Sequence, residues 1–288
     1  MLKGNRQGFT LIEMIMAIVL ATMVLGLIYT VLINSQRVTL AQTQRMEVQQ
    51  NARTVLSYLT SRLRELDATD GDFITVTGSQ IRYKSMRWVG ILCSDPQISG
   101  SSADLLLKAD MVTGIRSPDA SEDSLMIFKD GDPLTKGDDG WVHAVMTGLN
   151  TDTCDDGTSA VEVRAVINGG GAAIQDSVFS GAPVRGFQVE LLGQRSNGGR
   201  QWLSRAMLDN GGSMGTIEDL VGPLVATNGL LFTYLDTLGN NTTNKANIAA
   251  VQIQVISESQ RQSRLVGGTI GFRIDTLQTL VALRNNSE

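Results

Sequence analysis

The chain opens on one long apolar run and then changes period. From Met14 to Gln36 no residue is charged, 23 positions in succession. Ala, Ile, Leu, Met and Val dominate that run, and it contains no proline. A bilayer core of about 30 Å needs about 20 helical residues at 1.5 Å each, and Met14 to Ile33 supplies that length. Helical patterning continues beyond it. Asn34 to Leu66 holds no Gly or Pro, and Ala52, Val55, Leu56, Leu59, Leu63 and Leu66 fall on one face of a helix. Gly71, flanked by Asp70 and Asp72, signals a stop. The pattern predicts one helix from about Thr10 to Leu66, apolar all round at first and amphipathic afterwards.

After Asp72 the period shortens to that of strands. Phe73–Thr77 and Gln80–Lys84, joined by Gly78-Ser79, read as a hairpin. Further strands are predicted at Trp88–Cys93, Ser124–Lys129, Ala160–Ile167, Val184–Leu192, Gln201–Leu208, Leu230–Leu235, Ala249–Ile256 and Thr276–Leu283. Many of these alternate apolar and polar residues, as half-buried antiparallel strands do. The expected fold class is α+β, a long helix packed on an antiparallel sheet. Between Asp95 and Glu162 there are 14 acids against 4 bases. There the segments Pro96–Pro118 and Asp130–Gly140 read as loops. The β-rich part, residues 67–288, is expected to divide into two lobes near residues 170–183.

The residues ahead of the apolar run decide what kind of run it is. Met1 to Gly8 is polar, with Lys3 and Arg6 and no acid. A cleavable secretory signal has a similar basic start, but its apolar core runs only about 7–15 residues before an A-x-A-like site. Here the run is longer, and it leaves through Val31-Leu32-Ile33-Asn34-Ser35-Gln36. Glu13 stands at its head, where an ionisable side chain is expensive and marks function. An ordinary single-span anchor stays an equal alternative until the residues before Glu13 are read.

The string Gly8-Phe9-Thr10-Leu11-Ile12-Glu13 resembles the class III leader of type IV pilins and type II secretion pseudopilins. In that family a prepilin peptidase cuts after the glycine and methylates the new amine, and an acid stands fifth in the mature chain. The resemblance implies a cut between Gly8 and Phe9, an N-methylated Phe9, and Glu13 as the assembly acid. It divides the chain into a leader (1–8), a transmembrane or filament-core helix (9–33), an amphipathic continuation (34–66) and an extracytoplasmic domain (67–288). Family members often carry a helix-bending proline where this chain has Thr30, so the resemblance gives less reason to expect a kink or melted segment there. A carboxylate in lipid prefers to be neutral or paired, and the amine of a neighbouring subunit would pair with it and set the axial register. The segments Gly181–Phe187, Gly229–Asp236, Ile248–Val255 and Thr279–Asn285 are similar to PilW-type minor pilins; J-type pseudopilins share the length and plan.

Composition narrows the remaining chemistry. The net charge is −5 and the only histidine is His143. The acidic balance disfavours direct nucleic-acid binding, and a lone histidine removes multi-His metal sites. Neither a G-x-S-x-G string nor a phosphate-cradling G-x-x-x-x-G-K-[ST] string occurs. Cys93 and Cys154 are the only cysteines. Outside the cytoplasm oxidation is favoured, and a disulfide would close a loop of about 62 residues and contribute roughly 4 kcal/mol; two buried free thiols are the alternative. Asp130, Asp132, Asp138 and Asp139 form a weak calcium candidate, which turn chemistry explains equally well.

The sequence thus reads as a non-enzymatic minor pilin without a cofactor. Its expected partners are prepilin peptidase, other major and minor pilins, the pilus assembly platform and, before assembly, inner-membrane lipid. Lys3 and Arg6 ahead of the span favour a cytoplasmic N-terminus, but Arg37 and Arg45 follow it, so it is the leader resemblance that implies the N-terminus in the cytoplasm and the bulk in the periplasm, with the pilus as the final location. The rival readings are a J-type pseudopilin and a membrane-tethered extracytoplasmic enzyme.

Overall fold

A computed structural model describes residues 10–131, 134, 135, 137, 139–264 and 269–284. One helix dominates its start: α1 runs Leu11–Leu63, 53 residues, or about 80 Å at 1.5 Å per residue. It passes through Thr30 without a break, and the Thr22 and Thr30 hydroxyls donate to the Val19 and Leu27 carbonyls at 2.9 and 2.8 Å. The expected end at Leu66 is three residues late. Leu66 N turns back to the Leu63 carbonyl at 3.2 Å. Asp67 Oδ1 then accepts from the Thr69 amide and hydroxyl at 2.8 and 2.7 Å, an aspartate turn that competes with another helical turn.

Two compact units result. The first holds α1 up to Gln50 and the described part of Ser259–Arg273. In it β14 (Ser263–Arg264) and β15 (Ile270–Gly271) pair as an antiparallel ribbon. The Ser259 hydroxyl donates to the Arg261 carbonyl at 2.8 Å and accepts from the Arg273 amide at 3.0 Å, tying the ribbon's two legs together. Gln44 Nε2 donates to the same Arg261 carbonyl at 3.3 Å, joining ribbon to helix.

The second unit holds the rest of α1 and the large sheet. Its strands are β1 (Phe73–Val76), β2 (Gln80–Ile91), β3 (Gln97–Ser99), β4 (Ser102–Lys108), β5 (Thr113–Gly114), β6 (Ser124–Lys129) and β7 (Gly140–Thr153). There follow β8 (Ser159–Ile167), β9 (Pro183–Asn197), β10 (Arg200–Leu208), β11 (Met214–Leu224), β12 (Leu230–Leu235), β13 (Ala250–Glu258) and β16 (Ile274–Ala282). All described pairings are antiparallel, along the order β12-β13-β11-β10-β9-β6-β7-β8-β4-β3. The trunk is β9. One of its edges pairs with β2 from Pro183 to Gly193. The other edge is shared: Val184–Phe187 pair with β6, and Val189–Asn197 with β10.

Two large apolar clusters stabilise this sheet. In the first, Ala52, Val55, Leu59 and Leu63 of α1 are 0% exposed and pack with Ile81, Leu192, Leu203, Val251, Ile253 and Val255. Burying each large aliphatic side chain contributes about 1.5–3 kcal/mol, so the amphipathic stretch of α1 is held by tertiary packing. In the second, Trp88, Leu105, Leu107, Leu125, Ile127, Met146, Val163 and Val184 pack together. Leu192 and Val184 are both even-numbered positions of β9, so both clusters sit on one face of the trunk.

The sequence pattern missed β4 and β11, together with the short strands β3, β5, β14 and β15. The predicted loop Pro96–Pro118 contains β4, whose Ala103, Leu105 and Leu107 are buried; the Leu105-Leu106-Leu107 run conceals its period of two. Trp88–Cys93 is no separate strand but the end of β2, which continues through an irregularity between Met86 and Trp88. β11 was also unread. β11 is exposed at five of its 11 positions and carries Gly215, Glu218, Asp219 and Gly222. It is held by partners on β10, where Arg205 pairs with Glu218 and the Ser204 hydroxyl donates to Asp219 at 2.6 Å. Cys93, just past β2, and Cys154, just past β7, form a disulfide with Cα atoms 5.6 Å apart.

Candidate assembly site

Thr10 and Glu13 set the start of α1. The Thr10 carbonyl accepts from the Glu13 and Met14 amides at 3.1 and 3.2 Å. The Glu13 carboxylate reaches back to the Thr10 amide and hydroxyl, both at 3.5 Å. This is capping-box geometry, with the acid at the third helical position satisfying an orphan amide of the helix start. Gly8 and Phe9 lie outside the described residues.

Beyond Glu13 the helix is apolar all round and uncovered. Every large apolar side chain from Leu11 to Leu32 is exposed; the least exposed, Val19, is at 47%. Such a surface far exceeds what a soluble protein leaves in water. It suits lipid or the apolar faces of other helices, since α1 satisfies its own backbone hydrogen bonds.

The other predicted positions separate. Asp132 and Asp138 lie outside the described residues. No group of three His, Cys, Asp or Glu side chains suited to a metal occurs among the described residues. Asp156, in a second acid-rich turn, accepts from the Thr158 amide and hydroxyl at 2.9 and 2.6 Å, which is turn chemistry.

His143 belongs to a buried polar cluster that the sequence did not announce. Its Nε2 stands against Lys84 Nζ. Lys84, 6% exposed, also donates to the Asp70 carbonyl at 3.3 Å and lies 5.5 Å from the Phe187 ring centre. Asp72 Oδ2 accepts from the Asp67 amide at 2.9 Å, while its Oδ1 has no hydrogen-bond partner among the described residues. Burial pushes the Asp72 carboxyl up to about 6, against the pull of the Asp67 amide and Lys84. Burial, then the neighbouring Lys84 ammonium, pushes His143 down to about 4. Burial also lowers Lys84. Arg185 lies 3.5 Å from Asp70 and stacks on Trp141 at 4.1 Å.

On the other face of β9, Glu190 is 0% exposed and lies between the two apolar clusters. Tyr58 of α1 donates to its Oε1 at 3.4 Å. A sequence signal existed here, an acid inside Val189-Glu190-Leu191-Leu192; Lys84, in an alternating strand, offered none.

Residues 3–29 match the family model described as the prokaryotic N-terminal methylation motif. No curated protein and no solved structure matches the chain. The motif is the prepilin class III leader, and with the long apolar helix packed on an antiparallel sheet it supports a type IV pilin-like protein. That class is generally structural, is processed by prepilin peptidase and works with pilin-type partners.

Proposed function

We propose that the chain is a minor pilin of the PilW type. It is inserted in the inner membrane, cut between Gly8 and Phe9, methylated at Phe9, and built into a type IV pilus by helix packing. The N-terminus faces the cytoplasm and the β-rich part the periplasm. The observation that carries this is the uncovered, charge-free helix headed by Glu13 inside the methylation motif. Assembly exchanges lipid for neighbouring helices around that surface. The Glu13 carboxylate, the lone charge near its head, then meets the methylated amine of an adjacent subunit and fixes its height in the filament.

The test is the mass of the N-terminal peptide from protein recovered from its own membrane, paired with a deletion strain. A start at Phe9 with one added methyl, and loss of pili with protein export intact, is the expected result. A start at Met1 beside an active peptidase would overturn processing. Loss of export with pili intact would overturn the pilus assignment in favour of a secretion pseudopilus.

A further inference from the structure

Just beyond the uncharged run, α1 presents Arg37, Leu40 and Gln44 at a spacing of three and four, on one side of the helix. Within the same compact unit the ribbon supplies Arg261, Ser263, Arg264 and Ile270. Between them lies a groove of about 470 Å³.

Charge and unmet hydrogen bonding distinguish this groove from an ordinary crevice. Residues 37–50 and 259–273 carry Arg37, Arg45, Arg261, Arg264 and Arg273 against a single acid, Glu47, although the whole chain is at −5. Among the described residues Arg37, Arg261 and Arg264 enter no ion pair, and all three are exposed. Gln44 is 9% exposed, and its Oε1 has no hydrogen-bond partner among the described residues; Ser263 Oγ likewise has none. Buried polar atoms left unpaired are costly, so a groove that keeps them is built for something that pairs with them. The guanidinium groups call for an anion, Ser263 can donate to one, and Gln44 Oε1 calls for a donor. Leu40 and Ile270, 60% and 73% exposed, add an apolar border.

Position along the helix identifies the ligand. Arg37 stands four residues past Ile33, about 6 Å beyond the end of a bilayer-length apolar segment. That is headgroup depth, where arginine meets lipid phosphate. We propose that this groove binds the headgroup of one anionic, hydroxyl-bearing glycerophospholipid. Arg37, Arg261 and Arg264 hold the phosphodiester, Ser263 donates to a phosphate oxygen, and Gln44 Oε1 accepts from a headgroup hydroxyl. The proposal rests on the membrane-inserted reading above. It gives the unassembled subunit a lipid contact that must be released when the helix leaves the bilayer.

The test is native mass spectrometry of the full chain in mild detergent with added phosphatidylglycerol or phosphatidylcholine, alongside incorporation into vesicles of each lipid. Wild-type protein is expected to retain one phosphatidylglycerol in preference to phosphatidylcholine. Arg261→Gln and Arg264→Gln are expected to weaken retention about fivefold each. Arg53→Gln, an exposed position outside the groove and its charged segments, serves as the control and is expected to retain lipid as wild type does. Equal retention of both lipids, or retention unchanged in the Arg261→Gln/Arg264→Gln double variant, would overturn the proposal. So would full displacement of the lipid by millimolar inorganic phosphate, which would make the ligand a phosphate group alone. A chain that enters neither vesicle defeats the membrane reading itself, whereas one that enters both without lipid preference defeats only the groove.

Discussion

Tyr83 stands directly across the β2–β9 ladder from Glu190, and both side chains are buried. The Tyr83 hydroxyl and Glu190 Oε2 have no hydrogen-bond partner among the described residues. Burial, with the charge of Glu190 adding to it, drives the Tyr83 hydroxyl far above its ordinary value. Glu190 in turn favours the charged forms of Arg62 and Arg87, whose own burial opposes them. The pair therefore divides its effects: the carboxylate serves several neighbours, while the Tyr83 hydroxyl, buried beside that carboxylate, has no well-aligned hydrogen bond to it.

Removing each half should have opposite signs. Tyr83→Phe is expected to leave stability unchanged or raise it by about 1 kcal/mol, because an unpaired buried hydroxyl is lost. Glu190→Leu is expected to lower it by about 2 kcal/mol, because partly screened arginines lose their counter-charge. Thermal unfolding of the purified protein in detergent, followed by circular dichroism, reads both. A Tyr83→Phe variant as damaged as Glu190→Leu would contradict the pairing read from the ladder.

Asp72 and His143 both feel the Lys84 charge and respond to pH in opposite senses. Asp72, pushed up to about 6 by burial, contributes most in acid, and its contribution is lost as pH rises through 6. Asp70, raised by burial and then by Asp67, acts in the same direction. His143, pushed down to about 4 by burial and then by Lys84, contributes fully above its unfolded value near 6.5 and loses that contribution as pH falls toward 4. Between pH 4 and 6.5 the Asp72 and His143 contributions to wild-type stability therefore offset one another. Asp72→Asn should leave a melting temperature that climbs with pH over that window, and His143→Gln one that declines. Parallel profiles for the two variants would show that the cluster does not titrate in this way.

What was legible in the sequence follows from how each element is held. α1 was readable because its start, its uncharged run and its amphipathic stripe Ala52–Leu63 are local patterns. β6 and β12 matched to the residue, Ser124–Lys129 and Leu230–Leu235, because each is a short apolar run bounded by polar or turn residues. β11 was not readable, since its support comes from Arg205 and Ser204 on another strand. The same holds for the Arg37–Arg264 groove, whose halves lie more than 200 residues apart. Glu13 was legible as an acid out of place, but its contact with Thr10 required coordinates.

The disulfide ties a residue after β2 to one after β7 across a separation of 61 residues. Constraint of the unfolded chain by a loop of that length is worth roughly 4 kcal/mol. Reduction with dithiothreitol is expected to lower the melting temperature of the wild type. A Cys93→Ser/Cys154→Ser variant should melt at that lower temperature with or without reductant. A variant that melts with the oxidised wild type would mean the bond contributes nothing to this fold.

The last prediction separates the two roles available to Glu13. Its carboxylate caps the helix through Thr10 at 3.5 Å, and a capping box accepts Gln as readily as Glu. Pairing with a neighbour's methylated amine in a low-dielectric filament core needs the charge, which Gln lacks. Glu13→Gln should therefore keep the protein processed and inserted, yet remove it from sheared pili. Glu13→Ala loses both cap and charge and should be excluded at least as strongly. Thr10→Ala weakens only the cap and should still enter the filament. The measurement is the fraction of each variant recovered in sheared filaments relative to membranes. If Glu13→Gln enters pili as wild type does while Glu13→Ala does not, the acid acts as a helix cap and the charge-pairing mechanism fails.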